Sequence, residues 1–163
     1  MKCALPSQAE LRDLLSYDPL TGVLRWRAAR GGKPAGCVAG HINRQGYRLI
    51  GLNDQLYLAS RLIWAMFNGD PGELEVDHIN QDPNDDRLTN LRLATRSQNV
   101  CNTRVKRGKE LPKGVHPNGQ NFGAKIQKDG VIHWLGTFPT PEEAHAAYVN
   151  ASKHLHGSFA SAS

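Results

Sequence analysis

The sequence predicts an α+β fold, and three observations carry that expectation. A strand, a polar loop, a second strand and a helix follow one another between residues 74 and 99. Three short strand-like runs and one amphipathic helix fill residues 112–163. Between them, Arg104, Lys106, Arg107 and Lys109 form a basic stretch without apolar periodicity, which reads as a linker at 104–111. A chain of 163 residues suffices for one ordinary domain or two small ones, and 39% hydrophobic with 21% charged residues excludes a disordered tail. The longest apolar runs, such as 62–67, fall far short of the roughly 20 residues a bilayer span needs. No signal-peptide core opens the chain, so an intracellular location is expected.

Each element has a local signal. Residues 11–17 read as a short helix, and Tyr17-Asp18-Pro19-Leu20-Thr21-Gly22 as a turn feeding a strand at 23–26. Residues 31–40 are a Gly-rich loop. Asn53-Asp54, between the apolar runs 46–52 and 55–58, signals a hairpin. A helix follows at 59–67, with Leu62, Ile63, Met66 and Phe67 on one face, and Asn68-Gly69-Asp70-Pro71-Gly72 ends it. Strands are expected at 74–79 and 91–94, and Thr95-Arg96-Ser97-Gln98 is a capping box that opens the next helix. Beyond Pro112, strands are expected near 114–116, 122–127 and 132–138, the last two joined by Lys128-Asp129-Gly130. Thr140-Pro141-Glu142-Glu143 supplies an N-cap, a proline at the first helical position and a capping Glu. Ala144, Ala147, Tyr148, Ala151 and Leu155 form the apolar stripe, and Gly157 the stop.

Charge is distributed unevenly. Residues 1–72 carry nine Lys/Arg against five Asp/Glu, residues 73–99 three against six, and residues 100–163 eight against four. An acidic island between basic flanks suits a polyanion held by the flanks around a central cation. Cys3, Cys37 and Cys101 are odd in number and lack C-x-x-C spacing, so reduced thiols are expected.

The central segment carries the chemistry. Asp77 and His78 end its first strand, Asn90 lies twelve residues beyond His78 before the returning strand, and Asn99 enters the helix nine residues later. A strand, loop, strand and helix of this length bring the four residues together. Asp77 and Asn99 offer hard oxygens suited to Mg²⁺ or Mn²⁺, and His78 is a base for an attacking water.

Val76-Asp77-His78-Ile79-Asn80, Asp86-Arg87-Leu88-Thr89-Asn90-Leu91-Arg92 and Ala94-Thr95-Arg96-Ser97-Gln98-Asn99 together resemble the HNH nucleases, most closely phage and intron-borne homing endonucleases. With Tyr17–Gly22, Trp26, Gly46-Tyr47 and Arg61-Leu62-Ile63-Trp64, the resemblance covers about residues 10–103 and sets a catalytic region at 1–103 with its core at 73–103. It implies a ββα-metal motif in which Asp77 and Asn99 bind one divalent cation, His78 is the general base and Asn90 fixes the loop that orients it. Asn99 stands where other members carry His, the H-N-N variant, and leaves a neutral ligand. Ser60 stands where similar sequences often have His. Arg92 and Arg96 are candidates for phosphate contact.

Lys113-Gly114-Val115-His116, Phe122-Gly123-Ala124-Lys125-Ile126, Trp134-Leu135-Gly136-Thr137-Phe138 and Glu142-Glu143-Ala144 with Ala147-Tyr148 resemble the AP2 DNA-binding domain over residues 112–160. This implies a three-stranded antiparallel sheet laid into the major groove with one helix behind it. Lys113, His116, Lys125, Gln127 and Trp134 then face DNA, and Leu135, Phe138, Ala147 and Tyr148 the core. His116, Gln127 and Ile132 stand where that family often has Arg, so the plant-type target does not carry over. Arg104, Lys106, Arg107 and Lys109 are expected along the DNA backbone.

The expectation is therefore a metal-dependent, homing-type endonuclease acting on double-stranded DNA, monomeric or homodimeric, without an obligatory protein partner. The alternative is a non-catalytic DNA-binding regulator. An RNA-directed nuclease would use the same chemistry, but no RNA-binding motif accompanies it.

Overall fold

A computed structural model of the chain describes residues 5–102 and 110–160, the side chain of residue 158 excepted. Arg104, Lys106, Arg107, Lys109 and Cys3 lie outside the described residues. The fold is mixed α/β and comprises two compact units, Met1–Leu93 and Ala94–Ser163.

The first unit runs α1 (Gln8–Leu14), β1 (Leu15–Asp18), β2 (Val23–Trp26), β3 (His41–Ile42), β4 (Arg48–Leu52), β5 (Gln55–Leu58), α2 (Ala59–Asn68), β6 (Glu75–His78) and β7 (Leu91–Ala94), with a 3-10 turn at Leu88–Asn90. The first helix begins and ends earlier than the expected 11–17. Ser7 and Glu10 cap each other at its start, and Leu15 pairs with Trp26, which draws residues 15–18 into an antiparallel strand. β3 also emerges at the end of the Gly-rich loop and pairs with β4. Asn53 and Asp54 both adopt positive φ, the conformation that a two-residue hairpin turn requires.

Leu11, Leu24, Ile50, Leu52, Leu62 and Ile63, all fully buried, make the core where α1, α2 and the small sheets meet. α1 docks on the end of α2 through Gln8 and Arg12, which donate to the carbonyls of Ala65 and Met66. Met66 joins this core, but Phe67 turns away from it and meets the Tyr17 ring edge-on at 5.2 Å.

The second unit runs α3 (Arg96–Asn102), β8 (Val115–Asn118), β9 (Asn121–Lys128), β10 (Val131–Phe138) and α4 (Pro141–His156). Its sheet is antiparallel in the order β10-β9-β8. Ala124 and Ile126 of β9 are buried with Ala144 and Tyr148 of α4. A Cβ on Gly114 would lie 1.9 Å from the Tyr148 ring, so this crossing admits only glycine. Both helices are capped as their sequences direct. Gln98 N–H donates to Thr95 Oγ1 and Thr95 N–H to Gln98 Oε1, while Glu143 N–H donates to Thr140 Oγ1.

α3 belongs to the second unit. There Cys101 is buried with its Sγ 3.4 Å from Ser152 Oγ of α4.

Candidate active site

β6 delivers Asp77 and His78 into the interior of the first unit, 4% and 6% exposed. The turn that feeds this strand is tied to α2 by Arg61, which donates to the carbonyls of Leu74 and Gly72. The two buried polar side chains have different partners. His78 Nε2 is 2.9 Å from Asp86 Oδ1, and both groups are almost fully enclosed. An ionised carboxylate only accepts, so the imidazole donates Nε2–H to it. Asp77 Oδ2 accepts from Arg92 Nε at 2.8 Å. Arg92, expected at a DNA phosphate, thus spends its charge on the buried Asp77 carboxylate.

The loop between β6 and β7 is a hydrogen-bonded knot around Asn90. The Asn90 amide oxygen accepts from Asn80 N–H, and its NH₂ donates to Asn80 Oδ1 and to the carbonyl of Asp85. The Asn90 carbonyl accepts from Ile79 N–H, next to His78. The Arg87 guanidinium grips Asp85 at 2.6 and 2.7 Å and holds its carboxyl down at about 2.

Sequence reasoning assigned no role to three further residues. Asp86 supplies the carboxylate on His78. Tyr17 Oη accepts from Leu88 N–H at 2.8 Å and donates to the Asp86 carbonyl at 3.4 Å, and burial raises the pKa of this phenol. Gly22 lies against the same loop, where a Cβ would come within 2.5 Å of the Asp86 and Arg87 backbone. The hairpin β1–β2 therefore braces the segment that carries Asp86. From the other side, the Tyr47 ring lies 6.0 Å from the His78 ring, and Gly46 leaves no room for a Cβ beside Pro83.

Among the described residues no group of three or more His, Cys, Asp or Glu side chains forms a protein-only metal cage. The donor that the first unit presents suits a cation that takes few protein ligands: one buried carboxylate on Asp77. Mg²⁺ binds in this manner, through one or two carboxylates, waters and substrate phosphate, so the donor chemistry fits. Asn99 is half-buried on α3 in the second unit, its N–H bonded to the Thr95 carbonyl.

In the second unit, the sheet face away from α4 carries His116, Lys125, Gln127, Ile132 and Trp134. Trp134 is 55% exposed, meets His116 edge-on at 5.4 Å and sits over Gly123, whose missing Cβ makes room for both rings. Lys125 and Gln127 are exposed on β9. Lys113, expected on this face, is half-buried instead. Its amine donates to the Cys101 carbonyl, and desolvation lowers its pKa. Leu135, Phe138 and Ala147 are half-buried and Tyr148 is buried. Arg96 lines a cleft of about 410 Å³ with Thr95, Val100 and Gly130, at whose edge Asp129 N–H donates to Ser97 Oγ.

No helix among the described residues is long and apolar enough to cross a membrane. No solved structure matches the chain. It is 33% identical over 90 residues to an uncharacterized HNH endonuclease of Acanthamoeba polyphaga mimivirus, a match covering 55% of this chain and 47% of that protein. The chain thus spans about half the length of the curated relative it matches. Residues 57–101 match the family model described as HNH endonuclease. That segment contains Asp77, His78, Asp86, Asn90, Arg92 and Asn99.

Proposed function

We propose that this protein is a divalent-metal-dependent endonuclease that hydrolyses a phosphodiester bond of double-stranded DNA. The observation that carries this reading is a buried Asp86–His78 pair adjacent to a buried Asp77 carboxylate, inside the segment that matches the HNH endonuclease model. An imidazole held by a carboxylate is oriented, fixed in one tautomer and stabilised when it accepts a proton. His78 takes the proton of the attacking water, and Asp86 holds the ring and balances the imidazolium. Asn90 locks the intervening loop, and Arg92 fixes Asp77. Asp77 and Asn99 would hold Mg²⁺ or Mn²⁺, which when bound neutralises charge on the scissile phosphate and the leaving oxygen.

The second unit acts as an AP2-like recognition module. His116, Lys125, Gln127 and Trp134 contact DNA from its open sheet face, and Arg96, Arg104, Lys106 and Arg107 meet the backbone. One such site per chain cuts one strand, so a monomer nicks, and the homing-type reading makes the second unit the source of target choice.

The test is cleavage of supercoiled plasmid in Mg²⁺, Mn²⁺ or EDTA, beside His78→Ala and Asp77→Asn proteins. Metal-dependent nicking lost in both variants is expected. A His78→Ala protein that cuts at the parent rate refutes the mechanism, and binding without cutting by the parent would make the chain a DNA-binding regulator.

A further inference from the structure

The distribution of charge in the first unit points to a second functional surface. Residues 70–86, which include Asp77, His78 and Asp86, hold seven Asp/Glu and no Lys/Arg. Their field repels a polyanion. Three of these carboxylates, Asp70, Asp85 and Asp77, are offset by pairing with Arg61, Arg87 and Arg92, and the stretch remains acidic after that pairing. Residues 19–53 are the reverse, with six Lys/Arg and no Asp or Glu.

Among the described residues, none of those six cations lies within 4 Å of a carboxylate oxygen, and Arg25 is placed near enough to Asp18 to help lower its pKa. Arg25 and Arg27 donate to the carbonyls of Gly36 and Leu15, both at 3.1 Å, and Arg30 lies 5.0 Å over the Trp26 ring. A carbonyl or an aromatic ring holds a guanidinium in place without cancelling its charge. Two turns present three of these cations, Arg30, Lys33 and Arg44. Arg30 and Lys33 exchange both backbone hydrogen bonds around Gly31-Gly32, both at positive φ, which makes a narrow hairpin tip with open space around it. Exposed Arg44 rides on the turn 43–47. Asn43 Oδ1 closes that turn by accepting from Gln45 N–H and Tyr47 N–H, and the turn abuts His78 through Tyr47 and Pro83 through Gly46.

We propose that residues 19–53 form the catalytic unit's own surface for the phosphate backbone of duplex DNA, with Arg30 and Lys33 at one turn and Arg44 at the turn beside the catalytic imidazole. This rests on the nuclease reading and gives the catalytic unit a grip independent of the second unit. A duplex fits better than a single strand. The only aromatic side chains in the segment, Trp26 and Tyr47, are buried and half-buried, so no exposed ring offers a platform for unstacked bases.

The experiment measures binding of the full chain, in EDTA, to an arbitrary duplex of about 30 base pairs by fluorescence anisotropy, between about 50 and 200 mM KCl. Each lost phosphate contact reduces the slope of log affinity against log salt by about 0.9. The double variant Arg30→Ala/Lys33→Ala should flatten the slope by about 1.8, so that its disadvantage to the parent shrinks about twelvefold across that range. Arg44→Ala should flatten it by about 0.9, and Arg44→Lys should restore it. These side chains are exposed, and an unchanged thermal melt confirms the fold.

An unchanged slope in both alanine variants overturns the proposal, and so does a parent that binds single-stranded RNA of equal length more tightly than duplex. The nuclease reading fails separately. A flattened slope in a protein that never cuts with metal keeps the surface and removes the enzyme, whereas metal-dependent cutting with an unchanged slope does the opposite.

Discussion

Replacing Asp86 with Asn tests the reading of the site most directly. The change keeps the shape of the side chain at a position that is 4% exposed, so packing is preserved, and it removes the charge 2.9 Å from His78 Nε2. At that separation and an effective dielectric of about 20, the attraction of a carboxylate for an imidazolium is about 6 kcal/mol before desolvation. The net value of a hydrogen bond to a charged group is nearer 1.5–3 kcal/mol, about one to two decades of rate. An asparagine amide also can present its NH₂ to Nε2, which moves the ring proton to Nδ1 and removes the base. That adds to the loss and stays within the roughly 10²–10⁴ that general-base catalysis contributes.

Single-turnover nicking of supercoiled plasmid by Asp86→Asn should therefore be about a hundredfold slower, with duplex affinity unchanged. The decisive comparison is a double-mutant cycle. If Asp86 acts only through His78, then His78→Ala/Asp86→Asn is no slower than His78→Ala alone. A double variant that loses a further hundredfold, or an Asp86→Asn protein at the parent rate, refutes the argument.

Other expectations follow from the same contacts. Tyr17→Phe leaves the Leu88 N–H without its acceptor in a half-buried site, which should lower the urea midpoint by the equivalent of about 1–3 kcal/mol and slow cleavage. Gly123→Ala puts a methyl 2.5 Å from the Trp134 ring and 2.7 Å from His116 Nε2. It should weaken duplex binding by about 1 kcal/mol, roughly fivefold in Kd, with the melting temperature little changed. His156 is buried in the second unit with Nε2 unpartnered, and burial lowers its pKa below 6.5 in the folded state. The unfolded chain then binds the extra proton first on acidification, so stability falls as pH drops below about 6.5. Thermal melts should show this, and His156→Gln should flatten that part of the profile.

The parts of this fold that were legible in the sequence are those set by local stereochemistry. Thr140-Pro141-Glu142-Glu143 and Thr95-Arg96-Ser97-Gln98 state where helices begin, and Asn53-Asp54 and Asp129-Gly130 state where strands reverse, because each acts within four residues. The segment 15–18 was not legible. Its conformation depends on Trp26, eleven residues beyond Leu15, and the capping pair Ser7 and Glu10 shifts the preceding helix out of the way. Lys113 misled for a related reason. A lysine in a basic stretch reads as exposed, whereas its amine donates inward to the Cys101 carbonyl.

The site divides along the same line. Asp77, His78 and Asn90 stand out because their residue types and spacing are unusual together. Asp86 does not, since the loop also holds Asp82 and Asp85, and nothing local separates a carboxylate that answers Arg87 from one that answers His78. What separates them is a distant element: Tyr17 and Gly22 fix the backbone of residues 86–88, and that placement turns Asp86 inward while Asp85 stays with Arg87 at the surface. A segment comprising only the matched residues 57–101 would therefore retain His78 and Asp86 in sequence and lose what holds them 2.9 Å apart. The hairpin β1–β2 thus sets the position of Asp86 against His78, from outside the matched segment.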